Sequence, residues 1–110
     1  MGCHSWIYKQ ISKEEYDHCN DVTIEIDGKY YKDIYFDHII RVYGYPEEEF
    51  TDVEKLIEWL EGYDQNDVES YSYDPNTGDQ IITPGITDQA KAQLRKLWKD
   101  FDNKLAIDFG

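Results

Sequence analysis

Val22-Thr23-Ile24-Glu25-Ile26-Asp27-Gly28-Lys29-Tyr30-Tyr31-Lys32-Asp33-Ile34-Tyr35-Phe36 is the stretch that decides the fold. Val22 to Ile26 alternates apolar and polar residues with the period of a strand. Asp27-Gly28 is a pair that tolerates two consecutive positive φ angles, which a two-residue hairpin turn demands. Lys29 to Phe36 then runs back, rich in aromatics. An antiparallel hairpin is expected here, and the rest of the chain is read for what would pair with it or cover it.

Upstream, Ser5 to Ile11 is β-branched and aromatic enough for a first strand, and Ser12 can cap a short helical turn over Lys13-Glu14-Glu15-Tyr16. Downstream, Phe36 to Val42 fits either a short helix or a buried strand, because its periodicity does not decide. Thr51-Asp52-Val53-Glu54 reads as a capping box. Val53, Leu56, Ile57 and Leu60 follow at i, i+3, i+4 and i+7, so an amphipathic helix is expected over 52–61, ending near Gly62. Glu69 to Tyr73 and Asp79 to Thr83 form a second hairpin candidate around Asp74-Pro75-Asn76-Thr77-Gly78. Thr87 caps a second amphipathic helix with the stripe Ala90, Leu94, Leu97, Trp98 and Phe101, and Leu105 to Phe109 reads as a last strand. The expected fold is α+β, with two amphipathic helices on a mainly antiparallel sheet, in one domain over residues 1–110.

The charge is uneven. Against 11 Lys and Arg stand 24 Asp and Glu, a net charge of −13. Direct nucleic-acid binding is thereby disfavoured, and a partner with a cationic surface is favoured. From Glu47 to Asp79 there are twelve acids and one base, Lys55, so −11 of the net charge falls in 33 residues. Five of the eleven bases, Lys91, Arg95, Lys96, Lys99 and Lys104, lie on the second helix or just after it. On the first helix Glu54, Glu58 and Glu61 share one face, about 4.5–6 Å apart along the axis. Such a row resembles the spacing of phosphates along a nucleic-acid strand, and could compete for a channel shaped to hold one.

Other chemistries find less support. Cys3, His4, His18, Cys19 and His38 are the possible metal ligands, but neighbours on a strand point to opposite faces and no paired ligand spacing occurs. A nucleophilic pair of Cys3 or Cys19 with His38 lacks a motif to position the base. Both cysteines are expected to be reduced. The loop acids lack the register of a calcium-binding loop, and isolated Gly44 and Gly85 build no phosphate cradle. No cofactor is expected. With no apolar run near the roughly 20 residues of a membrane span, a cytoplasmic protein is expected. The tyrosines, with Lys91, Arg95 or Lys99 for phosphates, leave a nucleotide-binding sponge as one alternative reading, and an acidic surface that serves solubility beside a Cys/His site is another.

Met1-Gly2-Cys3-His4-Ser5-Trp6-Ile7-Tyr8-Lys9, Asp37-His38-Ile39-Ile40-Arg41-Val42-Tyr43-Gly44-Tyr45-Pro46-Glu47 and the ending Ile107-Asp108-Phe109-Gly110 resemble a family of small phage proteins that begin Met-x-Cys-x-x-Trp and end in Phe-Gly. Asp37-His38 reverses the His-Asp order of that family. The resemblance covers about a third of the chain and implies phage origin. By type, small acidic phage proteins include inhibitors of host defence that imitate nucleic acid, among them anti-CRISPR and anti-restriction proteins. The expected function is a non-enzymatic inhibitor acting in the host cytoplasm on a basic nucleic-acid-binding protein, such as a CRISPR effector or restriction nuclease. Its expected contact residues are Glu47, Glu48, Glu49, Asp52, Glu54, Glu58, Glu61, Asp64, Asp67 and Glu69.

Overall fold

The computed structural model describes residues 5–36, 39–44 and 46–110. Cys3, His4, His38 and Tyr45, which the sequence singled out, lie outside the described residues. The elements run β1 (Ser5–Ile11), α1 (Lys13–His18), β2 (Thr23–Ile26), β3 (Lys29–Asp33), β4 (Ile40–Val42), β5 (Glu48–Phe50), α2 (Val53–Gly62), β6 (Val68–Tyr73), β7 (Gln80–Pro84), α3 (Asp88–Asp100) and β8 (Leu105–Phe109), with a 3-10 turn at Gln65–Asp67. They form a single α+β domain with two antiparallel sheets, in the orders β2-β3-β1-β8-β5 and β4-β6-β7.

The hairpin forms as its turn residues require. Asp27 and Gly28 take φ of 51° and 79°, and Ile24 pairs with Tyr31. The returning strand stops at Asp33 rather than reaching Phe36. Asp33 Oδ1 accepts the Tyr35 N–H at 2.7 Å, a side-chain turn that takes the backbone out of the ladder. Of the undecided stretch 36–42, Ile40–Val42 is a strand paired with β6. The short strand β5 was not anticipated, because Glu48-Glu49-Phe50 has no apolar alternation and becomes a strand only by pairing with β8.

Two helix ends correct the sequence reading. The N-cap of α2 is Asp52, whose Oδ1 accepts the N–H groups of Glu54 and Lys55, so Thr51 does not build the capping box. Thr51 instead presents its carbonyl to the Trp98 indole N–H at 3.0 Å. Gly62 is the last residue of α2 but makes no left-handed cap, and Tyr63 behind it is extended. Gln65 takes over, its Nε2 donating to the carbonyls of Leu60 and Tyr63, both at 2.8 Å. Its Oε1 accepts the Ile86 N–H at 2.9 Å, stapling the end of α2 to the β7–α3 connection. Gly85 fits under that staple at φ 81°, where an added Cβ would lie 3.1 Å from the Gln65 oxygen.

The main core lies between helices and sheets. Residues opposite each other on antiparallel strands share a face, so Ile7, Ile107 and Phe50 point together toward α2 and α3. There they meet Leu56, Ile57, Leu60, Leu94 and Trp98. Val42, Ile40 and Val68 of the smaller sheet close the same core, and the Ser5 hydroxyl ties the two sheets by donating to the Ile40 carbonyl at 3.1 Å. The third helix, α1, rests on the outer part of the large sheet, where the Tyr16 ring packs at 4.6 Å, tilted by 45°, against Tyr30 and Glu15 meets Lys32 at 3.1 Å. On the opposite face, Tyr8, Tyr31 and Ala106 form a small buried cluster of their own.

Candidate functional site

Helix α2 divides the expected acidic face into two environments. Glu54 and Glu61 are seven residues apart, nearly two full turns, and therefore point the same way. The side they share turns to α3. Arg95 there grips Glu54 through both oxygens, with Nε at 2.8 Å and Nη2 at 2.9 Å, the bidentate geometry that fixes a carboxylate best. That hydrogen bond holds the Glu54 carboxyl below its ordinary value. One helical turn along α3, Lys91 reaches Glu61 at 3.2 Å and Asp88 at 3.1 Å. The acidic row and the basic helix, separate in the sequence, are thus partners across a helix interface.

The other side of α2 is aromatic and acidic. A groove of about 380 Å³ is lined by Lys55, Glu58, Trp59, Gly62 and Tyr63. The half-buried Trp59 ring anchors it, with centroids 5.1 Å from Phe50, 5.2 Å from Phe109 and 5.1 Å from Tyr63. From Tyr63 the row continues onto the small sheet. The Tyr63 hydroxyl donates to the Tyr43 carbonyl at 2.9 Å, and Gly44 beside it, at φ 92°, could not carry a side chain without meeting that oxygen at 2.9 Å. Tyr43 and Tyr71 then donate to one oxygen of Glu69, at 2.7 and 3.2 Å. The bond to Glu69 holds the Tyr43 phenol above its ordinary value, and burial does the same for Tyr71. Arg41, directly opposite Glu69 in the β4–β6 ladder, lies 5.6 Å from the centre of the Tyr43 ring.

The ten expected contact residues therefore differ in state. Glu54 and Glu61 are ion-paired, and Glu69 holds two phenols. Asp52 and Asp64 each use Oδ1 to cap backbone N–H groups. Glu47, Glu48, Glu49, Glu58 and Asp67 take part in no ion pair among the described residues. Glu49 lies opposite Asp108 on the sheet face away from α2 and α3, near Tyr8. Burial, reinforced by Asp108, Asp33 and Glu49, pushes the Tyr8 phenol up to about 12.

Sequence reasoning missed the Arg41-Tyr43-Glu69-Tyr71 cluster. Its signal was present: Arg41 and Tyr43, like Glu69 and Tyr71, are two residues apart, so pairing two strands puts all four on one face. The phosphate-binding alternative loses two of its cations, since Lys91 and Arg95 are engaged by Glu61 and Glu54. A larger hollow of about 530 Å³ between β6 and α3, bordered by Phe36, Tyr73, Leu97 and Phe101, contains none of the ten acids and carries the Lys96–Asp100 ion pair at its rim.

Among the described residues no group of three or more His, Cys, Asp or Glu side chains could hold a metal ion, and Cys19 is a free, half-buried thiol. No helix among them is long and apolar enough to cross a membrane. The chain matches no protein-family model, no curated protein and no solved structure.

Proposed function

We propose that this chain is a non-enzymatic, phage-encoded inhibitor of host defence that covers a basic nucleic-acid-binding surface with its acidic side. The observation that carries the reading is the imbalance between Glu47 and Asp79, where −11 is met, in ion pairs with the rest of the chain among the described residues, by Arg95 on Glu54 and Lys91 on Glu61. Charge left over after internal pairing creates a field outside the molecule, which steers a cationic partner and makes its association fast and salt-sensitive. Half-buried aromatics beside those acids add contact area that costs little rotamer entropy. A CRISPR effector or restriction nuclease is a partner of this kind, because its channel is built from Lys and Arg to hold phosphates.

The test is competition. The purified chain is titrated against such an effector holding labelled duplex DNA, at low and high salt, together with a Glu47→Lys, Glu48→Lys, Glu49→Lys variant. The expected result is DNA displacement by the parent, weakened by salt and lost in the variant, with both proteins equally folded by circular dichroism. Failure of the parent to displace DNA from any basic effector, or equal displacement by parent and variant, overturns the reading.

A further inference from the structure

The two sheets have four edge strands, β2, β5, β4 and β7. An edge strand is a template for pairing with another chain, and monomeric proteins blunt it with charge, proline, bulges or short length. Three of these edges do so with charge: β2 carries Glu25, β5 carries Glu48 and Glu49, and β4 carries Arg41. The fourth carries no charge, and its one blocking residue is Pro84 at the end of the strand. From Gln80 to Thr87 there is no charged residue, the longest such interval after residue 8 in a chain of net charge −13. Every residue of β7 is exposed, with Ile81 at 44% and Ile82 at 49% of their full areas.

The ladder fixes which backbone groups of β7 face outward. The Gly85 N–H donates to the Val68 carbonyl at 2.6 Å and the Asp74 N–H to the Asp79 carbonyl at 2.8 Å. In an antiparallel pair such positions alternate with non-bonded ones, so Ile81 and Thr83 turn their N–H and C=O groups to β6. Gln80, Ile82 and Pro84 turn theirs away. Proline lies at an outward position, the one place where its missing donor breaks no ladder bond to β6.

We propose that β7 pairs with β7 of a second copy of this chain, antiparallel about a two-fold axis at Ile82, to form one continuous six-stranded sheet. The two Ile82 residues exchange both backbone hydrogen bonds, and each Gln80 N–H donates to the partner's Pro84 carbonyl, making four bonds. Ile82 meets its own copy on one face, and Ile81 meets Thr83 on the other. Charge selects this occupant and this direction. Two copies that repel elsewhere can approach along their uncharged strip, and the antiparallel register puts Asp79 opposite Gly85, so the two Asp79 carboxylates are about 20 Å apart. That exceeds the screening length of about 8 Å at physiological salt. A parallel pairing would set Asp79 beside Asp79.

The test combines sedimentation and amide exchange on the full chain. At millimolar concentration the parent is expected to sediment at twice 13.1 kDa. Ile82→Lys, which sets two ammonium groups against each other, is expected to abolish the dimer, while Gln89→Lys, the same charge change on exposed α3 surface, leaves it intact. In the parent, the Gln80 and Ile82 amides gain protection from exchange as concentration rises, whereas those of Ile81 and Thr83 are protected throughout. This exchange pattern decides the matter even if Ile82→Lys fails to fold. A parent that stays monomeric, a dimer indifferent to Ile82→Lys, or fast exchange at Gln80 and Ile82 at all concentrations overturns the proposal. The acidic-inhibitor reading is untouched by each of those results, since it rests on other residues.

Discussion

The two flanks of α2 carry glutamates from one helix, Glu54 and Glu61 on one and Glu58 on the other, yet they differ in what they leave for a partner. On the α3 side, Glu54 and Glu61 meet Arg95 and Lys91. On the other side, Glu58 borders a groove whose walls are Trp59 and Tyr63. One flank uses its charge inside the protein and the other offers it. Counting acids along a helix cannot separate the two, because the partner of Glu54 lies 41 residues away in sequence.

The sharpest way to break this contrast is at the ring that shapes the open flank. Trp59→Ala removes contacts to Phe50, Phe109 and Tyr63 together. Denaturant unfolding is expected to show a loss of about 3 kcal/mol, the lower end for a large-to-small change because the ring is only half-buried. A loss well below 1 kcal/mol would mean the ring does not anchor β5 and β8 to α2, and the groove would have no fixed wall.

A second probe uses a half-buried acid that makes no ion pair among the described residues. Asp108 faces away from α2 and α3, opposite Trp6 and Glu49, and burial raises its pKa. A carboxylate whose folded pKa is raised contributes stability below its unfolded value and loses it as pH climbs through the folded one. Asp108→Asn should therefore raise the melting temperature at pH 7. The gain should vanish below about pH 3.9, where the parent side chain is protonated in both states. An equal gain at both pH values would assign the effect to packing instead.

How much of this was legible in the sequence follows from the range of the interactions. Asp27-Gly28, Ser12 and Thr87 act on backbone within three residues of themselves, and the turn and both caps formed where they were read. The stripe Ala90, Leu94, Leu97 and Trp98 is buried for the same reason, since periodicity along one helix is local information. What escaped depends on distant neighbours. β5 exists only through β8, Asp52 displaced Thr51 as the cap while Trp98 engaged the Thr51 carbonyl, and Gln65 replaced a glycine cap by reaching three backbone segments. That the ten acids are concentrated is a count along the sequence. Their division into paired, capping and free groups required the position of α3.

The smallest expected effect separates the flanks most directly. Glu54→Gln and Glu58→Gln make the same chemical change one helical turn apart. Glu54→Gln breaks the bidentate contact with Arg95 and leaves a guanidinium without its carboxylate, so the melting temperature should fall slightly at low salt and the loss should shrink at high salt. Its pH dependence has a defined sign. Because Arg95 holds the folded pKa of Glu54 down, the pair stabilises above the unfolded carboxyl range and is lost as pH falls through the folded value. The penalty of Glu54→Gln should accordingly be present at pH 7 and absent in strong acid. Glu58→Gln breaks no ion pair and removes a like charge within one turn of both Glu54 and Glu61, so the melting temperature should hold or rise. Against a basic partner the ranking reverses: Glu58→Gln should weaken binding more, because Glu54 is already neutralised from within. Equal melting shifts and equal binding losses for the two variants would make α2 one uniformly solvated acidic face, and the contrast between its flanks would have no consequence.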